Sequence, residues 1–232
     1  MKSVATIFLS FLLFTSVYSQ SALETYDSKT TLSADQCFDV MKTVWDGVKK
    51  LSDEHNAQVS EKSEFESTSE YQARVRLGRN EYIGKIRKYA SKKEIAGKVF
   101  SVWMKADLDK YNADKQVYSV SSPTKILIQP KKGDIETTTS NNKFVSIIED
   151  DERGYRRAYI ELRTDPDFSW FVNRVTAQSA KDKEKEIYFK LSFTIQIQYN
   201  ARTHMVEIRI VPQKLALMDK PDNFVYWSEN IP

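Results

Sequence analysis

The sequence predicts an α+β fold, with two N-terminal amphipathic helices packed on a mostly antiparallel, curved β-sheet. Two observations carry this reading. Apolar residues recur at spacings of three and four through two early segments, and from about residue 98 the period changes to two. Helices first and strands afterwards is the order of an α+β domain, not of alternating parallel units. No Pro/Gly/Ser-rich linker and no internal repeat divides the chain, so 20–232 reads as a single domain.

Ahead of that domain, residues 1–19 have the pattern of a secretory signal peptide. Lys2 gives the basic start, Val4 to Val17 the apolar run, and Val17-Tyr18-Ser19 a cleavage site before Gln20. The run is about 21 Å long as a helix, too short for a hydrocarbon core of about 30 Å. Cleavage should leave an exported protein, periplasmic or extracellular, with no transmembrane segment. Its charge is then close to balanced: the whole chain has 35 basic and 32 acidic side chains, and the peptide removes only Lys2. Whole-molecule attraction to nucleic acid or membrane is therefore not expected, and any electrostatic function must be local. Cys37 is the only cysteine, so no intramolecular disulfide forms and it is expected in the core. Asn-x-Ser/Thr is absent, in keeping with a bacterial exported protein.

Ser33-Ala34-Asp35-Gln36 is a capping box, followed by Phe38, Met41, Trp45, Val48 and Leu51 on one face of a helix over 33–53. His55 and Asn56 then fit a helix C-terminus. A second box, Ser67-Thr68-Ser69-Glu70, has Phe65 upstream as a hydrophobic staple, and Tyr71, Val75, Tyr82, Ile86 and Tyr89 stripe a helix over 68–91. Gly78 lies on that stripe, so either another element approaches closely there or the helix breaks.

Residues 98–218 should be mainly strands. Phe100, Val102, Met104 and Ala106 alternate with polar positions, Lys110 to Lys115 is turn-like, and Val117 to Val120 returns as the second arm of a hairpin. Ile126 to Gln129, Phe144 to Ile148 and Tyr155 to Arg163 are further strands, with a polar loop at 137–142. Glu149-Asp150-Asp151-Glu152 reads as a charged turn before Arg153-Gly154. Phe168, Phe171, Val172 and Val175 have helical spacing, predicting a short helix over 167–176. The clearest strand is Ile187 to Tyr199, alternately apolar and polar; a turn at Asn200 to His204 leads into Met205 to Leu217. Phe224-Val225-Tyr226-Trp227 is too aromatic for a loose tail and should dock on the body.

Catalytic chemistry finds little footing. The chain has no Gly-x-Ser-x-Gly elbow, and only His55 and His204 are available to a histidine-based triad. There is no His-Glu-x-x-His and no Cys-x-x-Cys, so no metal site or cofactor is expected; the acidic run at 149–152 lacks the spacing and glycine of a calcium loop. The strongest anomaly is the second helix. Between Arg74 and Lys93 stand eight basic residues, among them Arg74, Arg76, Arg79, Lys85, Arg87 and Lys88, against Glu81 alone, a formal +7. This band is the candidate surface for an anionic partner, set against a solvated face neutralised through Glu70/Arg74 and Glu81/Lys85 pairs. Nucleic acid is not expected, since no reader motif accompanies the charge.

Glu64-Phe65-Glu66-Ser67-Thr68-Ser69-Glu70-Tyr71-Gln72-Ala73-Arg74, followed by Lys110-Tyr111-Asn112-Ala113-Asp114-Lys115-Gln116-Val117-Tyr118, resembles a pattern of uncharacterised bacterial exported proteins, in which an FET-x-x-EY-x-x-R helix start precedes a Y-[DN]-A-D turn. The resemblance covers about a quarter of the presumed mature chain. It implies a bacterial envelope protein with an α+β domain and carries no activity. The expected function is thus a non-enzymatic exported binding or interaction domain whose partner is an envelope protein, a glycan or an anionic lipid surface. It would use the outer sheet face, the basic helix or the C-terminal aromatics. A glycan or cell-wall hydrolase acting through unnamed carboxylates, and a carrier of a small hydrophobic ligand, are the alternatives.

Overall fold

The computed structural model describes residues 21–129, 135–152, 155–163 and 168–232. The expected signal peptide and the Arg153-Gly154 turn lie outside them. The fold is α+β, with a short helix α1 (Ala22–Thr25), two long helices α2 (Ala34–Gln58) and α3 (Thr68–Ala90), a later helix α4 (Arg174–Asp182), and strands in three sheets.

Both long helices begin at their predicted caps. Ser33 Oγ accepts from the Gln36 N–H at 3.2 Å while Gln36 Oε1 accepts from the Ser33 N–H at 2.9 Å; Ser67 and Glu70 repeat the exchange. The buried stripe of α2 is Cys37, Val40, Met41, Val44, Val48 and Ser52, rotated so that Phe38, Trp45 and Leu51 flank it half-buried. The helix continues past residue 53 to Gln58, which places His55 in its last turn. Phe65 is 90% exposed, so the expected staple does not form. Gly78 does not break α3: it is buried, and an added Cβ would meet Val59 Cγ1 at 2.8 Å, so its small size lets the end of α2 approach.

In chain order the strands are β1 (Thr31–Leu32), β2 (Val99–Lys105), β3 (Asp107–Asn112), β4 (Val117–Ser121), β5 (Ile126–Gln129), β6 (Ile135–Thr139), β7 (Val145–Glu152), β8 (Tyr155–Leu162), β9 (Phe168–Phe171), β10 (Ile187–Asn200), β11 (Met205–Asp219) and β12 (Val225–Asn230). The main sheet has the order β1-β2-β10-β11-β12, with β6 also beside β11; β3-β4-β9 and β5-β8-β7 form two smaller sheets. Pairing is antiparallel except at β1–β2 and β6–β11. The β10–β11 hairpin is in register from Ile187↔Asp219 to Asn200↔Met205, with a bulge where Ser192 meets Lys214 but Phe193 meets Pro212. Ile187, Phe189, Leu191, Phe193, Ile195 and Ile197 point into the core as their alternation requires. Helix α2 contacts α3, β2 and β5, and α3 contacts β10.

Four local expectations are corrected. Residues 98–106 and 117–120 are not one hairpin: β2 pairs with β10, and the chain leaves the main sheet at buried Ala106, so the hairpin is β3–β4. The polar stretch expected as a loop at 137–142 is strand as far as Thr139, because Ile135 and Thr137 turn inward beside β11. The acidic run is strand, not turn; β7 extends through it, and Asp150 stands opposite Arg157, an acid and a base paired across the ladder. The helix expected over 167–176 is strand β9, whose Phe168 and Trp170 pair with Val120 and Tyr118, and helix begins only at Arg174 behind an Asn173 cap. The C-terminal aromatics dock as strand β12, with Trp227 ring-on-edge against Phe168 at 4.6 Å.

Candidate functional site

The structure divides the basic band of α3 into two flanks. At about 100° per residue, Arg76, Arg79 and Arg87 fall within one arc of about 80°, whereas Arg74, Lys85 and Lys88 fall on the opposite side of the buried stripe. The second group is largely committed to the fold. Arg74 forms a two-pronged pair with Glu66, Nε and NH2 each 2.9 Å from a carboxylate oxygen, and NH1 donates to the Gln58 carbonyl at 2.8 Å. It also reaches the carbonyls of Ser60 and Glu61, so one side chain clamps the connection between α2 and α3. Lys85 pairs with Glu54 of α2 at 3.3 Å. Neither cation uses the Glu70 or Glu81 partner that helix spacing offers, because Glu70 is occupied by the N-cap. Lys88 is exposed.

Arg76, Arg79 and Arg87 are exposed, and none has a carboxylate within ion-pair distance among the described residues. Between the flanks lies His55 of α2, its ring stacked on Tyr82 at 4.5 Å and 1°, with Nδ1 buried and unpartnered. Burial, with Arg79 and Lys85 nearby, holds its pKa below the ordinary histidine value. The cationic character here comes from α3, and burial beside it favours the neutral form of the imidazole.

A second surface lies between α4 and β12. An open groove of about 660 Å³ is lined by Val175, Ser179, Lys183, Phe224, Val225 and Tyr226 among others. Val175 is 81%, Phe224 56% and Val225 47% exposed, unusual for large apolar side chains. Lys183 bridges Asp219, whose side chain is wholly buried, at 2.7 Å and Asp222 at 2.6 Å, and both carboxylates raise its pKa. Sequence reasoning missed this groove because Val175 counts toward a core-facing helix stripe that does not exist.

Among the described residues, the carboxyls with displaced pKa values all move down. Asp27, Glu66 and Glu70 are held down first by hydrogen bonds from Thr30, Arg74 and Ser67 respectively. At Glu207 burial acts upward, but hydrogen bonds from Thr138, Gln198 and Arg209 outweigh it. Each is an ionised acceptor in a structural network, the opposite of a poised general acid. His204 is exposed in the β10–β11 turn at φ 59°, its Nδ1 3.1 Å from the Tyr199 hydroxyl. Cys37 is buried in α2 and desolvation pushes its thiol up to about 12. Among the described residues no three His, Cys, Asp or Glu side chains converge on a metal position, and no helix is long and apolar enough to cross a membrane. Comparison of the chain with protein-family models, curated proteins and solved structures finds no match.

Proposed function

We propose that the chain is an exported, non-enzymatic binding domain of a bacterial cell envelope that engages an anionic lipid surface through α3. The observation that carries this reading is the group of exposed arginines Arg76, Arg79 and Arg87 on one flank of a helix whose opposite flank ties Arg74 and Lys85 to Glu66 and Glu54. Guanidinium groups suit phosphate because their planar fork donates two hydrogen bonds at once. The apolar run of residues 1–19 supports export, and the single cysteine suits a fold held by packing alone. A second reading, a carrier of a small hydrophobic ligand, is favoured by exposed Val175, Phe224 and Val225 in the α4–β12 groove, whose lining also carries Lys183, Asp219 and Asp222.

Co-sedimentation with phosphatidylglycerol-containing and purely zwitterionic vesicles, at low and high salt, tests the first reading. Binding is expected only to the anionic vesicles and only at low salt. At about 1 kcal/mol per contact, R76Q/R79Q/R87Q should weaken it about a hundredfold, while K85Q/K88Q on the other flank changes it little. Absence of binding under every condition, or equal losses in both variants, overturns it.

A further inference from the structure

The outward face of the main sheet has a second cationic surface, built by register and unrelated to α3. On β10 the outward residues are Tyr188, Lys190 and Ser192; their partners on β2 are Lys105, Trp103 and Ser101. Lysine therefore alternates with an aromatic ring both along and across the strands. Lys105 Nζ lies 5.0 Å from the Tyr188 ring centre and Lys190 Nζ 5.7 Å from that of Trp103. Lys220, one residue beyond β11, reaches both rings, at 4.9 Å from Tyr188 and 6.0 Å from Trp103. The rings stand 6.2 Å apart and edge-on at 69°.

The charge on this face is not neutralised within the fold. Lys105 Nζ is fixed by the backbone carbonyls of Glu184 at 2.7 Å and Ile187 at 3.2 Å, while the Glu184 carboxylate is taken by Lys181. Asp107 is the other acid acting on Lys105. Lys190 and Lys220, and Lys214 opposite Ser192, have no carboxylate within ion-pair distance among the described residues. The same face continues past half-buried Ser192, whose hydroxyl lies 2.9 Å from that of buried Ser101, to exposed Ser228 and Asn230 on β12. From strand geometry it measures about 14 Å along the strands and about 14 Å across four of them.

We infer that this face binds an acidic polysaccharide, with the Lys190 and Lys220 ammonium groups on sugar carboxylates and Trp103 and Tyr188 against the apolar C–H edges of the rings. Charge complementarity requires an anion. The remaining groups decide its kind: hydroxyl and amide side chains match sugar hydroxyls, the half-buried rings offer a rigid amphipathic platform, and the aliphatic residues opposite Lys190 and Tyr188 on β11, Ala216 and Met218, are buried and offer little to a membrane. The inference is independent of the role given to α3.

Isothermal titration of the full chain with polygalacturonate, its methyl-esterified form and dextran tests it. Binding is expected to polygalacturonate alone. It should weaken at least tenfold in K190Q/K220Q, whose substitutions are at the surface and should leave the unfolding midpoint in place. It should weaken also in W103L, and persist in R76Q/R79Q/R87Q. Polyglutamate serves as a polyanion without sugar rings and should bind far more weakly. No binding of polygalacturonate, binding that survives K190Q/K220Q, equal binding of polyglutamate, or loss of vesicle binding in K190Q/K220Q in place of glycan binding would each overturn the inference.

Discussion

Replacing Gly47 by alanine sets helix propensity against space at the contact between α2 and α3. Gly47 and Gly84 both sit inside long helices, where alanine is favoured over glycine by about 1 kcal/mol. At Gly84 nothing lies within 4 Å of an added Cβ, so Gly84→Ala should stabilise by about 1 kcal/mol. At Gly47 the added Cβ falls 2.1 Å from Tyr89 Oη and 2.4 Å from its Cζ, so the phenol ring must move. That ring is half-buried, its hydroxyl donates to the Thr43 carbonyl at 3.3 Å, and burial pushes its pKa up to about 12. Displacing it forfeits a hydrogen bond worth about 1 kcal/mol and adds an overpacking penalty of about 1–3 kcal/mol. After the propensity gain, Gly47→Ala should destabilise by about 1–3 kcal/mol, a fall in Tm of about 2–12 °C for a chain this long. Urea unfolding followed by circular dichroism reads the difference. In a Tyr89→Ala background the obstacle is gone, and the same substitution should become stabilising, a reversal that a double-mutant cycle isolates. A Gly47→Ala protein as stable as its parent, or the same effect in both backgrounds, would refute the placement of Tyr89 over α2.

Three further outcomes follow from the same packing. Because the folded pKa of His55 is lowered, the unfolded chain takes the proton first; stability should be full above about pH 6.5 and decline as pH falls through that unfolded value toward the folded one, and His55→Gln should flatten this part of a pH series of unfolding midpoints. Cys37 should resist a thiol reagent at neutral pH in the folded protein and react at once in denaturant, since it is buried and its thiol is pushed up to about 12; rapid labelling of the native chain would contradict its place in α2. Arg74→Gln should lower the unfolding midpoint and open the 59–67 connection to proteolysis, whereas Arg76→Gln should do neither, because only Arg74 clamps Glu66 and the carbonyls of Gln58 and Ser60.

The parts of the fold written in local pattern were legible. The caps at Ser33 and Ser67 and the long alternation of β10 state their own structure, since each depends on residues within a few positions. What misled were short segments decided by distant partners. Phe168 and Trp170 alternate as a strand should, but Phe171, Val172 and Val175 overlay a helical spacing, and only pairing with β4 settles the matter. The threonines of β6 look like a loop until β11 supplies the neighbouring ladder. The basic band was visible as a charge count; its division was not, because Glu66 and Glu54 reach Arg74 and Lys85 from outside the helix. The lysine and aromatic face was hidden for the same reason. Trp103, Tyr188 and Lys220 come from different elements, and the register that joins them is a property of the folded sheet.

Membrane engagement through α3 requires that particular arginines meet the anionic surface. Paramagnetic relaxation of the arginine Nε–H resonances by a spin-labelled headgroup, in phosphatidylglycerol-containing vesicles, measures this side chain by side chain. Arg76, Arg79 and Arg87 should broaden strongly, while Arg74, whose Nε–H is held by Glu66, stays sharp. Broadening of Arg74 and Arg209 to the same degree as the α3 flank, or of no arginine at all, would contradict the proposed surface.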